Sequence, residues 1–242
     1  MSFVGQARTI LERVSGFKVY RRPPHGTDIA SDIDRVFPGY SAQTVFDVGA
    51  NVGQSAQKFR TYFPDSEIFC FEPVAATYNE LVRATLPLGK VRCFNLALGD
   101  EAGSQSMITT GKSLTFHLPR EGEVVDQSAS ETVHVQRLDE FCAQQALSSI
   151  NYLKIDAEGF DLRVLAGGER LIEKGAIDFI QVEAGMNPGY SAQVPFNELW
   201  SWLTSRGYDL FGIYAQCPTW PSGQIVRRAD PVFIAKRMVK TR

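Results

Sequence analysis

From residue 43 onward, short apolar runs rich in β-branched and aromatic residues alternate with stretches of helical periodicity. This alternation predicts βαβ units and a parallel sheet, and runs that are apolar on both faces predict strands covered by helices on each side. The last two runs are joined by a proline-containing loop and predict a hairpin, which places an antiparallel strand near the C-terminus. The predicted fold class is therefore α/β, with a mostly parallel seven-stranded sheet and helices on both faces.

Glycine, proline or polar residues separate the predicted elements, as is typical of strands and helices joined by loops. We expect Asp161 to cap the fourth helix of the series. The strands are predicted in TVFDVGA, EIFCFEP, KVRCFNLAL, NYLKIDAEG, IDFIQVEA, YDLFGIYAQ and PVFIAKR. The helices between them are predicted over residues 54–63, 74–85, 139–146, 161–174 and 195–206.

Two regions depart from this alternation. Residues 1–40 predict an N-terminal helical extension, with one helix over 3–14 and a second that begins at the N-cap Thr27 and ends at a Pro-Gly pair. Residues 41–242 form the main predicted domain. Within it, residues 99–137 are polar and rich in glycine and serine, and they predict an insertion with at most a hairpin that contributes to a pocket at one rim of the sheet.

Composition and charge exclude several classes of protein. The net charge of the 242 residues is −2, and because the basic residues gather at the two ends, the body lacks the basic face of a nucleic-acid reader. The apolar runs are far shorter than the roughly 20 residues that span a bilayer, and the charged N-terminus is unlike a signal peptide, so we expect a cytoplasmic protein. The four cysteines form no CxxC pair, which argues against a zinc site or a disulfide scaffold.

The turn after the first predicted strand, DVGANVG at 47–53, carries an unusual acid. Glycine so close after a strand lets a ligand or another backbone approach where a side chain would collide. A dinucleotide fingerprint, G-x-G-x-x-G, requires glycine where this chain has Asn51 and Gln54. Asp47 repels a pyrophosphate and favours a cation such as an α-ammonium. The turn therefore predicts binding of a zwitterion, and we expect Gly49→Val to abolish that binding while the fold survives.

Glu72 ends the second predicted strand, next to this turn in a parallel sheet. A carboxylate at such a strand end accepts hydrogen bonds from both hydroxyls of a ribose. A ligand that combines an amino-acid head with a ribose is S-adenosylmethionine. Asp47 and Glu72 at successive strand ends therefore predict a site for S-adenosylmethionine.

The run LKIDAEG places three charged residues, Lys154, Asp156 and Glu158, on one face at the end of a predicted buried strand. Charges in such a strand need partners. In one interpretation the carboxylates hold an acceptor and remove its proton, with Asp156 the first choice as base and then Glu158 or His117. In a second, which we do not expect, they join Glu183 as oxygen ligands of a cation such as Mg²⁺. In a third, structural interpretation, Lys154 pairs with one carboxylate.

Several motifs occur together in one order over roughly residues 43–236. They are VFDVGANVG, FEP, NLALGD, RLDEF, LKIDAEGFDLRVLAGG, QVE, and LFGIY with ADPVFIAK. In this combination the chain resembles the FkbM family of S-adenosylmethionine-dependent methyltransferases, and KIDAEGFDLRVLAGG is the most specific piece. The resemblance implies a class I methyltransferase (Rossmann-like) fold and O-methylation of sugar or polyketide hydroxyls.

The candidate site residues follow from the residue patterns and from this resemblance, which implies cofactor contacts at the turn and at Glu72, and a reaction centre at Asp156 and Glu158. The candidate cofactor-binding residues are Asp47, Gly49, Ala50, Asn51, Gly53, Glu72 and Ala97. The candidate catalytic residues are Asp156, Glu158 and His117.

The acceptor is expected at the rim formed by the insertion and by the loop at 217–229. His117, Tyr214 and Trp220 lie in or near these segments, and polar and aromatic groups suit the edges and faces of a hydroxylated ring. We therefore expect a small-molecule acceptor, a sugar or a glycosylated metabolite. The oligomeric state is open.

Two alternatives to a methyltransferase have different chemistry. A nicotinamide dehydrogenase shares the βαβ architecture, although Asp47 and Asn51 count against it. A protein that binds S-adenosylmethionine without transferring its methyl group requires the same turn.

Overall fold

The computed structural model describes residues 12–18, 20, 22–109, 116–117, 130–189, 192–219 and 221–239, with the backbone alone at 108–109 and 116–117. The chain divides into two compact units, Met1–Tyr40 and Ser41–Arg242. Within the described ranges, every helix is too short or too polar to traverse a bilayer. The cytoplasmic location stays a prediction.

In the first unit, residues 12–15 are helical and helix α1 runs over Ile29–Val36. The N-cap of α1 is Asp28, whose carboxylate accepts a hydrogen bond at 2.8 Å from a backbone N–H in the first turn. The predicted N-cap Thr27 is wrong by one residue, because the aspartate satisfies that N–H. Most of the predicted helix over 3–14 lies outside the described residues.

The second unit alternates strands and helices from its first strand onward. Its described strands are β1 Thr44–Val48, β2 Glu67–Phe71, β3 Val91–Phe94, β4 Ala97–Gly99, β5 Gly103–Thr109, β6 Phe116–His117, β7 Ser130–Arg137, β8 Ile150–Ile155, β9 Ile177–Val182, β10 Ala184–Gly185, β11 Tyr208–Pro218 and β12 Val226–Ala235. Its described α-helices are α2 Gln54–Tyr62, α3 Ala75–Thr85, α4 Leu138–Gln144, α5 Asp161–Gly167, α6 Glu169–Glu173 and α7 Phe196–Thr204.

The main sheet has the strand order β10-β12-β9-β8-β1-β2-β3, and β11 pairs with β12. The pairs from β9 through β3 are parallel, whereas β12 is antiparallel to β9, β10 and β11. The predicted α/β fold, with a mostly parallel sheet and an antiparallel C-terminal strand, is confirmed. The two-residue strand β10 joins the seven predicted strands in this sheet.

Successive side chains of each strand point to opposite faces of the main sheet, and both faces carry apolar residues. Helices cover both faces. On one face, Phe46 of β1 packs edge-on against Phe141 of α4, with ring centroids 5.8 Å apart. On the other, Phe59 of α2 packs against Tyr152 of β8 at 5.4 Å. The core therefore lies on both sides of the sheet, and the carboxyl ends of the strands are left for polar side chains.

Residues 99–137 contain more structure than the predicted hairpin. Strands β4, β5, β6 and β7 form a second sheet in the order β4-β7-β5-β6. The prediction of KVRCFNLAL as one strand is wrong, because the chain divides there into β3 and β4. At the break, the side-chain amide of Asn95 donates hydrogen bonds to the carbonyl oxygens of Glu72 and Pro73 at 3.0 and 2.7 Å. These bonds tie the chain to the end of β2, and it continues into the second sheet.

The predicted helix over 161–174 is divided into α5 and α6 at Gly167 and Gly168. A Cβ at Gly167 would lie 2.0 Å from the carbonyl oxygen of Gly99. The glycine therefore allows α5 to contact the backbone of β4, and this contact packs α5 against the second sheet.

Candidate active site

A cavity of about 220 Å³ lies at the carboxyl ends of β1, β2 and β8, where ligands bind in open α/β sheets. Part of its lining comes from the loops after those strands, and part from the second sheet and α5. The lining residues are Val48, Gly49, Asn51, Gln54, Ser55, 71–74, 96–100, Gln105, Met107, Val133, Val135, Lys154, 156–158, Phe160 and Arg163. All of them belong to the second unit.

The turn after β1 is built around Gly49, whose φ of 76° lies in the left-handed region. A Cβ at this position would lie 2.0 Å from the backbone carbonyl oxygen of Asp156. The group that requires glycine here is therefore the backbone that follows β8. In contrast to the prediction from the sequence, we therefore expect Gly49→Val to destabilise the fold, because a branched side chain would push these two backbone segments apart.

Glu72 is buried behind this turn and is held by two backbone donors. Its Oε2 accepts a hydrogen bond from the N–H of Asn51 at 3.1 Å, and its Oε1 accepts one from the N–H of Val74 at 2.9 Å. Burial raises the pKa of Glu72 to about 7, although the two hydrogen bonds lower it. Each carboxylate oxygen accepts more than one hydrogen bond, so Glu72 keeps acceptor positions for the hydroxyls of a ligand in the cavity.

Asp47 does not line the cavity. It is fully buried in β1, and its Oδ1 lies 3.4 Å from the Nζ of Lys154 in β8. The same Nζ lies 3.3 Å from the Oδ2 of Asp156. Burial raises the pKa of Asp47, while Lys154 lowers it. The carboxylate of Asp47 is thus the buried counter-ion of Lys154, and Lys154 lines the cavity. The contact of Asp47 with a ligand ammonium stays a prediction.

The segment after β8 presents both candidate catalytic carboxylates, because Asp156 and Glu158 line the cavity. Asp161, predicted as a helix cap, is instead the first residue of α5. Its carboxylate accepts hydrogen bonds from the N–H groups of Ala157 and Gly159 at 3.1 and 3.2 Å. These bonds hold the segment against the start of α5. Within the segment, Glu158 adopts a left-handed φ of 50°.

The other candidate cofactor residues have different positions. Ala97 lines the cavity, whereas Ala50 and Gly53 do not. The N–H of Ala50 donates to the carbonyl oxygen of Phe71 at 3.0 Å, and the residue is buried. A Cβ at Gly53 would lie 3.2 Å from Leu81 of α3. These two small residues therefore permit close packing behind the turn.

The predicted acceptor residues are only partly described. The backbone of His117 pairs with Ile108 between β6 and β5, and the His117 side chain lies outside the described atoms. Trp220 lies outside the described residues. Tyr214 is buried next to Gly212 and does not line the cavity, and its role in an acceptor pocket stays a prediction.

Glu183 does not join Asp156 and Glu158 in the cavity lining. Its carboxylate forms an ion pair with the guanidinium of Arg228, and burial raises its pKa to about 7. Within the described part of the chain, no group of three or more His, Cys, Asp or Glu side chains is arranged to hold a metal ion. The cation next to Glu183 is thus Arg228, and the cation next to Asp156 is Lys154.

The sequence reasoning missed the residues that the second sheet and α5 bring to the cavity. The Nε of Arg163 donates to the Oδ1 of Asp100 at 2.8 Å, and Gln105 and Met107 of β5 add a polar and an apolar side chain to the lining. No local pattern marks these residues, because they meet only where α5 packs on the second sheet. The glycine pair at 167–168 was the available signal for that close approach.

Comparison with known proteins identifies the family of this chain. Residues 47–210, more than half of the chain, match the family model described as the Methyltransferase FkbM domain. The chain is similar to the 2-O-methyltransferase NoeI of Sinorhizobium fredii (strain NBRC 101917 / NGR234), with 26% identity over 235 residues, which cover 92% of this chain and 89% of that protein. It is also similar to the 31-O-demethyl-FK506 methyltransferase FkbM of Streptomyces tacrolimicus, with 27% identity over 200 residues, which cover 68% of this chain and 70% of that protein.

Among solved structures, the chain is similar to M. capricolum TrmK in complex with S-adenosylhomocysteine, with a TM-score of 0.48, 10% identity, and coverage of 88% of this chain and 70% of that one. The family match contains the turn after β1, Glu72, the second sheet and the segment after β8, and thus every described residue that lines the cavity. The chain therefore belongs to the FkbM methyltransferase family.

Proposed function

We propose that this protein transfers the methyl group of S-adenosylmethionine to a hydroxyl group of a small-molecule acceptor, a sugar or a glycosylated metabolite. The family supports the reaction class, and the two relatives described above are named as O-methyltransferases. The observation that carries the proposal is the cavity, in which Glu72 follows β2 while Asp156 and Glu158 follow β8, on either side of β1. A methyltransferase family leaves no support for the dehydrogenase alternative.

The cavity fits the chemical groups of S-adenosylmethionine. Glu72 has acceptor positions for the ribose hydroxyls. The Oδ1 of Asn51 is buried without a hydrogen-bond partner among the described residues, and such an atom is costly unless a ligand donates to it. Apolar side chains such as Leu96 and Val133 line the cavity and suit a purine ring. When bound, S-adenosylmethionine supplies an electrophilic methyl group.

We assign Asp156 as the base that takes the proton of the acceptor hydroxyl. Transfer from a sulfonium is an in-line displacement, so the protein has to align the hydroxyl and accept its proton as the new bond forms. The Asp156 side chain is one-third exposed (34%), and its Oδ2 lies against the Lys154 ammonium. Glu158, two residues further on in the same lining, is the next candidate.

The second sheet and the start of α5 supply the side chains suited to an acceptor. Gln105 presents an amide, and Phe160 presents an aromatic ring. The ion pair of Arg163 and Asp100 lies in the same lining, with both side chains partly exposed. Such a combination suits a sugar, whose edges form hydrogen bonds and whose faces pack on aromatic rings.

A methyl-transfer assay tests the proposed function. The protein is incubated with S-adenosylmethionine that carries an isotopically labelled methyl group and with a panel of methyl glycosides and glycosylated natural products, and the products are identified by mass spectrometry. We expect the label on an oxygen of at least one sugar. Binding of S-adenosylhomocysteine without transfer to any acceptor supports the non-catalytic alternative, and absence of binding contradicts the proposal.

Replacement of Glu72 by glutamine should weaken binding of S-adenosylhomocysteine by roughly 10- to 150-fold, because hydrogen bonds to a charged acceptor are lost. In addition, the new amide NH₂ group faces one of the two backbone donors that hold the carboxylate. Isothermal titration calorimetry measures the affinity. Glu67→Gln, at the exposed start of the same strand, is the matched control. Equal affinity of Glu72→Gln and the wild-type protein contradicts the ribose assignment.

The affinity for S-adenosylhomocysteine should depend on pH through the same residue. The ionised form of Glu72 accepts the ribose hydroxyls, and its pKa in the free protein is about 7. Binding is therefore strongest above this pKa and declines as the pH falls through it, by about tenfold between pH 8 and pH 6. The Glu72→Gln variant should lose this dependence. A constant wild-type affinity over the range shows that Glu72 is not the titrating ligand.

A further inference from the structure

The strand order defines a direction across the cavity. Strand β1 lies between β2 and β8, Glu72 directly follows β2, and Lys154 lies near the end of β8. This inference rests on the proposed function, in which Glu72 holds the ribose of the cofactor. The amino-acid end of the cofactor then extends past the Gly49 turn toward β8. Its α-carboxylate requires a cation or N–H donors there.

Two of the described residues that line the cavity are cationic, Lys154 and Arg163. Arg163 lies on α5, donates to Asp100 at 2.8 Å, and has a side chain that is 40% exposed. Lys154 pairs in strand register with Asp47, two residues before Gly49, and its side chain is 11% exposed. Position and burial therefore favour Lys154 as the cation at the amino-acid end.

The ammonium of Lys154 has capacity for a further acceptor. It carries three protons, and its partners in the described part of the chain are Asp47 at 3.4 Å and Asp156 at 3.3 Å. Both distances exceed the roughly 2.7–2.9 Å of a strong charge-assisted hydrogen bond. Burial alone would lower the pKa of Lys154, but the two carboxylates raise it above its usual value, so the side chain is charged at neutral pH.

We propose that Lys154 binds the α-carboxylate of S-adenosylmethionine and fixes the amino-acid end of the cofactor beside the Gly49 turn. Asp47 is then a positioning residue, whose buried carboxylate holds the Lys154 ammonium from behind the cavity. The charge next to the turn is thus opposite to the one expected from the sequence, where the acid was expected to meet the α-ammonium.

A pair of ligands that differ in this carboxylate tests the proposal. Isothermal titration calorimetry on the full chain compares S-adenosylhomocysteine with its decarboxylated analogue, S-adenosyl-3-thiopropylamine. The wild-type protein should bind S-adenosylhomocysteine more tightly than the analogue. Lys154→Met should weaken binding of S-adenosylhomocysteine by roughly 10- to 100-fold and leave the affinity for the analogue unchanged. The same substitution in an Asp47→Asn background removes the unpaired buried carboxylate, and thermal unfolding monitors the fold of each variant.

Arg163→Met is the matched control, because it removes the other cation of the lining and should preserve the preference for S-adenosylhomocysteine. Equal affinity of the wild-type protein for the two ligands overturns the proposal without any variant. The proposal is also overturned if Lys154→Met weakens the binding of both ligands equally. It is overturned as well if only Arg163→Met loses the preference for S-adenosylhomocysteine over the analogue. Absence of S-adenosylhomocysteine binding by the wild-type protein overturns the proposed function itself, so the two failures are distinguishable.

Discussion

Replacement of Gly49 by alanine should lower the free energy of unfolding by about 3 kcal/mol or more. The added Cβ would lie 2.0 Å from the carbonyl oxygen of Asp156, and the obstacle is backbone, which no side-chain rotation relieves. The left-handed φ of 76° adds a further cost of about 1 kcal/mol for a residue with a Cβ. Urea unfolding followed by circular dichroism measures the loss as a lower midpoint.

Gly207→Ala separates the collision from the conformational cost. Gly207 follows α7 with a φ of 84°, and a Cβ there would have no neighbour within 4 Å. This variant should lose about 1 kcal/mol, from backbone strain alone. Equal losses in Gly49→Ala and Gly207→Ala would show that the approach of Asp156 is not the reason for the glycine at position 49.

Replacement of Asp156 by asparagine should reduce the rate of methyl transfer by about 100- to 10,000-fold, the usual contribution of a general base. The amide retains the shape of the side chain but cannot take up the proton of the acceptor hydroxyl. We expect the variant to remain folded and to bind S-adenosylhomocysteine. Steady-state kinetics with the acceptor identified in the glycoside panel, together with calorimetry, measures the two effects separately.

Two further variants serve this experiment. Asp209→Asn is the matched control, because its half-exposed carboxylate pairs with Lys236 and does not line the cavity. Glu158→Gln tests whether the second carboxylate of the segment after β8 is the base instead of Asp156. If Glu158→Gln abolishes transfer while Asp156→Asn retains it, Glu158 is the base and the assignment of Asp156 is wrong.

The local pattern of the sequence was sufficient to predict the main sheet. Strands such as β1 and β2 are short apolar runs that end at polar or glycine-rich turns, and the helices between them have their own periodicity. Because the side-chain spacing of each element is a local property, it appears in the sequence without knowledge of the partners. The same reasoning placed Glu72 and Asp156 at strand ends, and both line the cavity.

The partners of the charged groups depended on pairing between strands that are distant in the chain. Asp47 was expected to meet a ligand, but the parallel register of β1 and β8 places Lys154 directly opposite it. An isolated acid in a sequence does not indicate which cation will neutralise it, and a buried charge takes the nearest one that the fold supplies.

The second sheet is the other feature that the tertiary structure decided. Its two longest strands, β5 and β7, are rich in polar residues, and they are stabilised by pairing with each other and by the contact of Gly167 with Gly99. Polar segments of this kind resemble loops in sequence, because little apolar periodicity marks them. Sequence alone therefore determined the parallel sheet and the acids at its edge, while the assembled fold decided which charges are buried, which residues of the insertion line the cavity, and why position 49 is glycine.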